Sequence, residues 1–142
     1  MTTKNLFQIA AMTAAFASAS MAQTPLKAIV DFRFEANGKV MESGTYRVES
    51  TNSKGLRAIF ILTNNETRKS ILVPSLYKAS AKPGTPETFK LVFQCLDGNS
   101  CKLAQVWDGG SDYAVIRTPG KKTTESDEFV EVAMTKASVR GL

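Results

Sequence analysis

From Lys27 onward the apolar residues of this chain recur at every second position. Val30, Phe32 and Phe34 alternate with Asp31 and Arg33, and Tyr46 and Val48 alternate with Thr45, Arg47 and Glu49. Successive side chains point to opposite faces of a strand, whereas a helix face recurs every three or four residues. The pattern therefore predicts strands with one face buried and one face wet. Turn residues fall between the runs, at Asn37-Gly38, Asn52-Ser53-Lys54-Gly55, Asn64-Asn65 and Asp97-Gly98, where a reversing chain needs residues that tolerate positive φ.

The same reading continues along the chain. A strand over about Leu56 to Thr63 has Ala58, Phe60 and Leu62 on one face; Ile59 and Ile61 on the other predict that both faces are covered. A run over about Lys69 to Lys78 contains Pro74, which cannot donate to a ladder and so predicts an edge or a bulge. Residues 81–87, rich in proline and glycine, form a loop. The clearest hairpin follows: Phe89, Leu91, Phe93 and Cys95 alternate with Lys90, Val92 and Gln94, and the chain returns through Leu103, Gln105 and Trp107. Short strands near Tyr113–Arg117 and Phe129–Thr135 complete the chain. No helical period is sustained outside the N-terminus. The expected fold is all-β, an antiparallel meander of about eight strands forming a small barrel or a sandwich. A partly open barrel is favoured because closure removes exposed strand edges.

The N-terminus is of another kind. Lys4 precedes an uncharged stretch from Leu6 to Ala17, and Ser20 and Ala22 stand at the −3 and −1 positions of a small-residue cleavage site ahead of Gln23. Residues 1–22 thus read as a secretory signal peptide cleaved between Ala22 and Gln23, leaving residues 23–142 as a single all-β domain. The apolar run is shorter than the roughly 18–20 residues a bilayer requires, so no transmembrane segment is expected in the mature protein. The expected location is the periplasm or the outside of the cell.

Export bears on the two cysteines. Cys95 and Cys101 bracket Leu96-Asp97-Gly98-Asn99-Ser100, and a close pair in an oxidising compartment is expected to form a disulfide. With residues 97–99 as the loop, Leu96 and Ser100 pair, and the cysteines face each other with Cα atoms about 4.4–6.8 Å apart. A redox pair would call for Cys-x-x-Cys at a helix N-terminus, and neither spacing nor context fits.

Charge and composition narrow the chemistry. The formal charge is +5 with no histidine, and since Lys4 is the only charge before Gln23 the mature domain carries +4. The cations are scattered, without the clustering and interleaved aromatics of a nucleic-acid surface, so a weak attraction to anionic envelope components is the most this charge implies. Without histidine, Ser-His-Asp and Cys-His catalysis and most transition-metal sites are excluded. Carboxylate-pair hydrolysis stays open through Asp108, Asp112, Glu125, Asp127 and Glu128. No cofactor is expected. The stretch Asp108-Gly109-Gly110-Ser111-Asp112 reads as a turn rather than a calcium loop, since it lacks the repeated acidic ligands. Trp107 and Tyr113 flank that turn and are candidates for an aromatic platform for a sugar ring or peptide; packing in the core is the favoured alternative.

The segments Phe32-Arg33-Phe34, Asn37-Gly38-Lys39 and Gly44-Thr45-Tyr46-Arg47-Val48, with Leu91-Val92-Phe93 and Leu103-Ala104-Gln105-Val106-Trp107, resemble small exported proteins of unknown function common in Acidobacteria and related soil bacteria. The resemblance implies export and a β-fold, with no activity attached. The expected function is a non-catalytic binding or interaction module. The alternatives are a carrier of a small apolar ligand inside the barrel, which needs small inward side chains in place of Phe32, Phe34, Phe60 and Phe93, and a carboxylate-dependent hydrolase.

Overall fold

The structure is a computed structural model and describes residues 24–51, 58–96, 100–117 and 128–137. The expected signal peptide and its expected cleavage site, the expected 97–99 turn, and Glu125 and Asp127 lie outside the described residues. The strands are β1 (Leu26–Val30), β2 (Phe34–Ala36), β3 (Lys39–Met41), β4 (Gly44–Thr51), β5 (Ile59–Asn64), β6 (Ser70–Pro74), β7 (Tyr77–Ser80), β8 (Phe89–Leu96), β9 (Ser100–Asp108), β10 (Asp112–Val115) and β11 (Glu128–Lys136). They form one nearly closed, barrel-shaped sheet in the order β3-β2-β9-β8-β11-β1-β4-β5-β6, with β10 bridging β9 and β7.

All pairings are antiparallel except β2 with β9, which is parallel through Phe34 opposite Cys101 and Glu35 opposite Lys102. This exception follows from the path of the chain. The alternating run from Val30 to Phe34 is two strands, because the chain leaves the ladder after β1 and passes β11 and β8 to reach β9. It returns to β4 beyond β3, so residues 31–33 and 42–43 both make this crossing, and Arg33 and Glu42 are joined by a 3.4 Å ion pair.

The barrel closes between β9 and β6 in two ways. At one end the hairpin β2–β3 docks on β9, and its tip reaches β6 where the Asn37 side-chain amide donates to the Leu72 carbonyl, 2.9 Å away. At the other end the chain bends out of β6 into β7, which pairs with β10 and through it with β9. Buried Ser75 pins the bend: Ala58 N donates to its hydroxyl at 2.9 Å, and its own N–H donates to the Ala58 carbonyl at 2.8 Å. The single run expected from Lys69 to Lys78 is therefore two strands, with Pro74 ending the edge strand β6. Its missing N–H would face away from β5, as the Leu72 carbonyl does, so proline costs that ladder nothing.

The core is the barrel interior. Phe34 lies edge-on to both Tyr46 and Phe93, with ring centroids 5.2 and 5.1 Å apart, and Phe32 meets Phe93 at 5.0 Å. Phe60, Leu62, Leu91, Leu103 and Val106 fill the rest. Ile59 is exposed and Ile61 half-buried, against the expectation that β5 is covered on both faces. Among the described residues no second layer covers the outward face of this strand.

Candidate functional site

Cys95 and Cys101 are joined, with an S–S distance of 2.06 Å. They stand directly opposite each other, flanked by Leu96 opposite Ser100, in the expected register. Their Cα atoms are 3.9 Å apart, closer than the expected range. The cause is the type of pair. Main-chain bonds between β8 and β9 fall on Leu96–Ser100 and Gln94–Lys102, which leaves the cysteines at a non-hydrogen-bonded position, where antiparallel strands approach most closely.

Trp107 and Tyr113 are brought together, but outside the core. A bulge shifts the register between Val92 and Phe93, so that Val92 faces Gln105, Phe93 faces Leu103, and Ala104 has no partner. One extra residue inverts the faces of the strand beyond it. Leu103 and Val106 point inward, while Gln105 and Trp107 point out. On the outer wall the Trp107 and Tyr113 rings stack with centroids 4.3 Å apart and planes 9° off parallel. Lys90 Nζ sits 4.7 Å from the Trp107 centroid, which places it on the face that Tyr113 leaves free. Lys90 also pairs with Glu131 at 2.8 Å, and the Trp107 indole N–H donates to Gln105 Oε1 at 2.9 Å. Both faces of the indole are thus taken, and the half-exposed Tyr113 ring is the part of the pair that can receive a ligand.

The bulge has a second effect. It frees the Ala104 carbonyl to accept from Ile116 N at 2.8 Å and Arg117 N at 3.2 Å, fastening the end of β10 beside the junction of the two closures. A groove of about 280 Å³ lies there, between the hairpin tip, the β6–β7 bend and β9, with Lys102 and Arg117 on its wall. Nη1 of Arg117 is buried without a hydrogen-bond partner, and Lys102 lies 4.0 Å from Glu35. A buried guanidinium N–H lacking an acceptor suits a carboxylate or phosphate oxygen. This groove escaped sequence reasoning, because its parts come from four separate segments.

The remaining candidates are placed as follows. Asp108 and Asp112 bracket the turn after β9, and Glu128 opens β11; all three are exposed. Gly109 has φ of 93°, and a side chain there would meet the Phe89 ring at 2.4 Å, so the glycine serves a turn packed on an aromatic ring. Among the described residues no three histidine, cysteine, aspartate or glutamate side chains come together as metal ligands, and no helix is long and apolar enough to cross a membrane. No protein-family model, no curated protein and no solved structure matches the chain.

Proposed function

We propose that this is an exported, non-catalytic binding or interaction module that engages its partner on the outer surface of the barrel. The observation that carries the reading is the filled interior. Phe32, Phe34, Tyr46 and Phe93 interlock across the barrel, leaving the axis to side chains where a carrier would hold its cargo. The groups suited to recognition lie off the barrel axis, Tyr113 beside its stacked indole on the outer wall and Arg117, with a buried unpaired N–H, in the groove at the barrel closure. Export is supported by the signal-like N-terminus and by the cysteine disulfide.

Native mass spectrometry of the protein recovered from its own host tests this reading against the carrier. The expected result is the bare polypeptide mass, with no retained apolar compound. A stoichiometric small molecule that survives purification and leaves on denaturation would overturn it.

A further inference from the structure

We propose that the groove at the barrel closure captures the C-terminal end of a partner polypeptide, with the terminal carboxylate on Arg117 and the last, apolar side chain on the groove floor. The proposal rests on the reading of the chain as an interaction module and names the class of partner.

The groove is a window in the barrel wall. β9 forms one side through Lys102 and Leu103, and β6 forms the other through Val73 and Pro74. The two closures shut its ends. The hairpin tip is tied to β6 by the Asn37 amide, 2.9 Å from the Leu72 carbonyl, and the β6–β7 bend is tied to β10 by Leu76 N, which donates to the Val115 carbonyl at 2.8 Å. The floor is core, since Val73 and Leu103 are buried, and Leu76 stands half exposed on the rim. An opening bounded on four sides stops a strand from lying through it and admits the end of a chain. Its volume of about 280 Å³ leaves room for a terminal side chain.

The charges select the terminal group. Lys102, Arg117 and Glu35 line the window, two cations and one carboxylate, a net charge of +1. Glu35 lies 4.0 Å from Lys102 and takes up that cation. Arg117 is left over: among the described residues it has no ion-pair partner, and its Nη1 is buried without an acceptor. A donor in that position has lost its bond to water without a replacement. The side chain as a whole is only partly buried, so a turn about its torsions carries the N–H to an oxygen seated in the window, where a charge-assisted bond forms.

One carboxylate balances the net charge, whereas a phosphate dianion exceeds it and meets Glu35. An apolar floor beside one unneutralised guanidinium calls for an apolar group and a carboxylate close together, and the last residue of a polypeptide presents both.

Amide NMR titration of the folded protein tests the proposal. The probe is an N-acetylated pentapeptide, Gly-Ser-Gly-Val-Leu, with a free C-terminus. It should bind saturably, shifting Gly38, Leu103, Ile116 and Arg117 and leaving Ala28 and Val132 in place. The same peptide with a C-terminal amide should bind about 10- to 100-fold more weakly, the weight of a hydrogen bond to a charged group. Arg117→Gln should erase the preference for the acid. Glu35→Gln removes the competing carboxylate and frees Lys102, so it should bind the acid several-fold more tightly, a gain that misfolding cannot produce. Isocaproate, which has the leucine side chain and a carboxylate without a polypeptide, should bind more weakly than the peptide, and inorganic phosphate should leave the window amides unshifted. No saturable shift at the window, equal binding of acid and amide, or an acid preference that survives Arg117→Gln would each overturn the proposal. So would acid binding that Glu35→Gln fails to tighten, or isocaproate or phosphate binding as tightly as the peptide. None of these results touches the filled-interior reading, whose own failure is a retained apolar compound.

Discussion

Asn37 reaches across the barrel closure to donate its side-chain amide to the Leu72 carbonyl. The same residue turns the β2–β3 hairpin, with φ of 47° followed by 75° at Gly38, the two positive values that a two-residue reversal between twisted strands demands. Asn37→Gly keeps the backbone and loses the cross-barrel bond, an expected cost of about 0.5–1 kcal/mol. Asn37→Ala loses the same bond and also the short polar side chain that lets asparagine tolerate the left-handed region, and about 1–2 kcal/mol is expected in urea unfolding. Equal losses for the two variants would contradict this division of roles.

The Tyr46 hydroxyl is buried and donates to the Glu42 carbonyl. Burial raises its pKa above the ordinary 10.0, the Glu42 and Glu66 carboxylates push the same way, and the Asn64 side chain opposes them. A phenol with a raised folded-state pKa stays neutral in the barrel while the unfolded chain ionises. Its contribution is complete below about pH 10 and is lost as pH rises through the folded value. Urea midpoints should therefore fall more steeply above pH 10 in the native protein than in Tyr46→Phe. At pH 7 that variant should be less stable by about 1 kcal/mol, since the Glu42 carbonyl loses its donor.

Local features were legible in the sequence and distant ones were not. Asn37-Gly38 declared its hairpin because few residues tolerate two positive φ values in succession. The spacing of Cys95 and Cys101 implied the register of β8 with β9, and Pro74 marked an edge because it lacks a donor. Trp107 was misplaced by a single residue. Alternation from Leu103 points it inward, and nothing about alanine at position 104 announces the bulge that turns it out. The run from Val30 to Phe34 shows the opposite failure: its inward alternation persists through Phe32, yet the main chain changes partners between Val30 and Phe34. Which strands pair across the barrel is a tertiary fact, and so the parallel β2–β9 contact and the Arg117 groove carried no local signal.

Gly109 allows the turn after β9 to lie against Phe89. Gly109→Ala combines a left-handed φ with a Cβ 2.4 Å from that ring, and a loss of about 2–3 kcal/mol is expected. The steric part should shrink when Phe89 is reduced to leucine, so a double-mutant cycle in chemical denaturation should give a favourable coupling. Strict additivity would mean that the ring is not what excludes the side chain.

The disulfide fastens the β8–β9 hairpin beside the parallel β2–β9 contact. Cys95 is buried in the core and lies opposite Cys101, while Cys101 is also the β9 partner of Phe34. The bridge closes a short ring that strand pairing already holds, so it removes less entropy from the unfolded chain than a bridge across a long loop does. Replacing both cysteines with alanine should lower stability by about 1–3 kcal/mol and leave a folded protein. The loss should concentrate at the neighbouring hairpin, with faster amide exchange at Phe34 and Glu35 than at Phe60 or Leu62 on the far wall. Peptide mapping of the exported protein without reduction should recover Cys95 and Cys101 linked within one chain, on a polypeptide beginning at Gln23. Two free thiols, or a bridge between chains, would contradict the structural role, and retention of residues 1–22 would contradict export by signal cleavage.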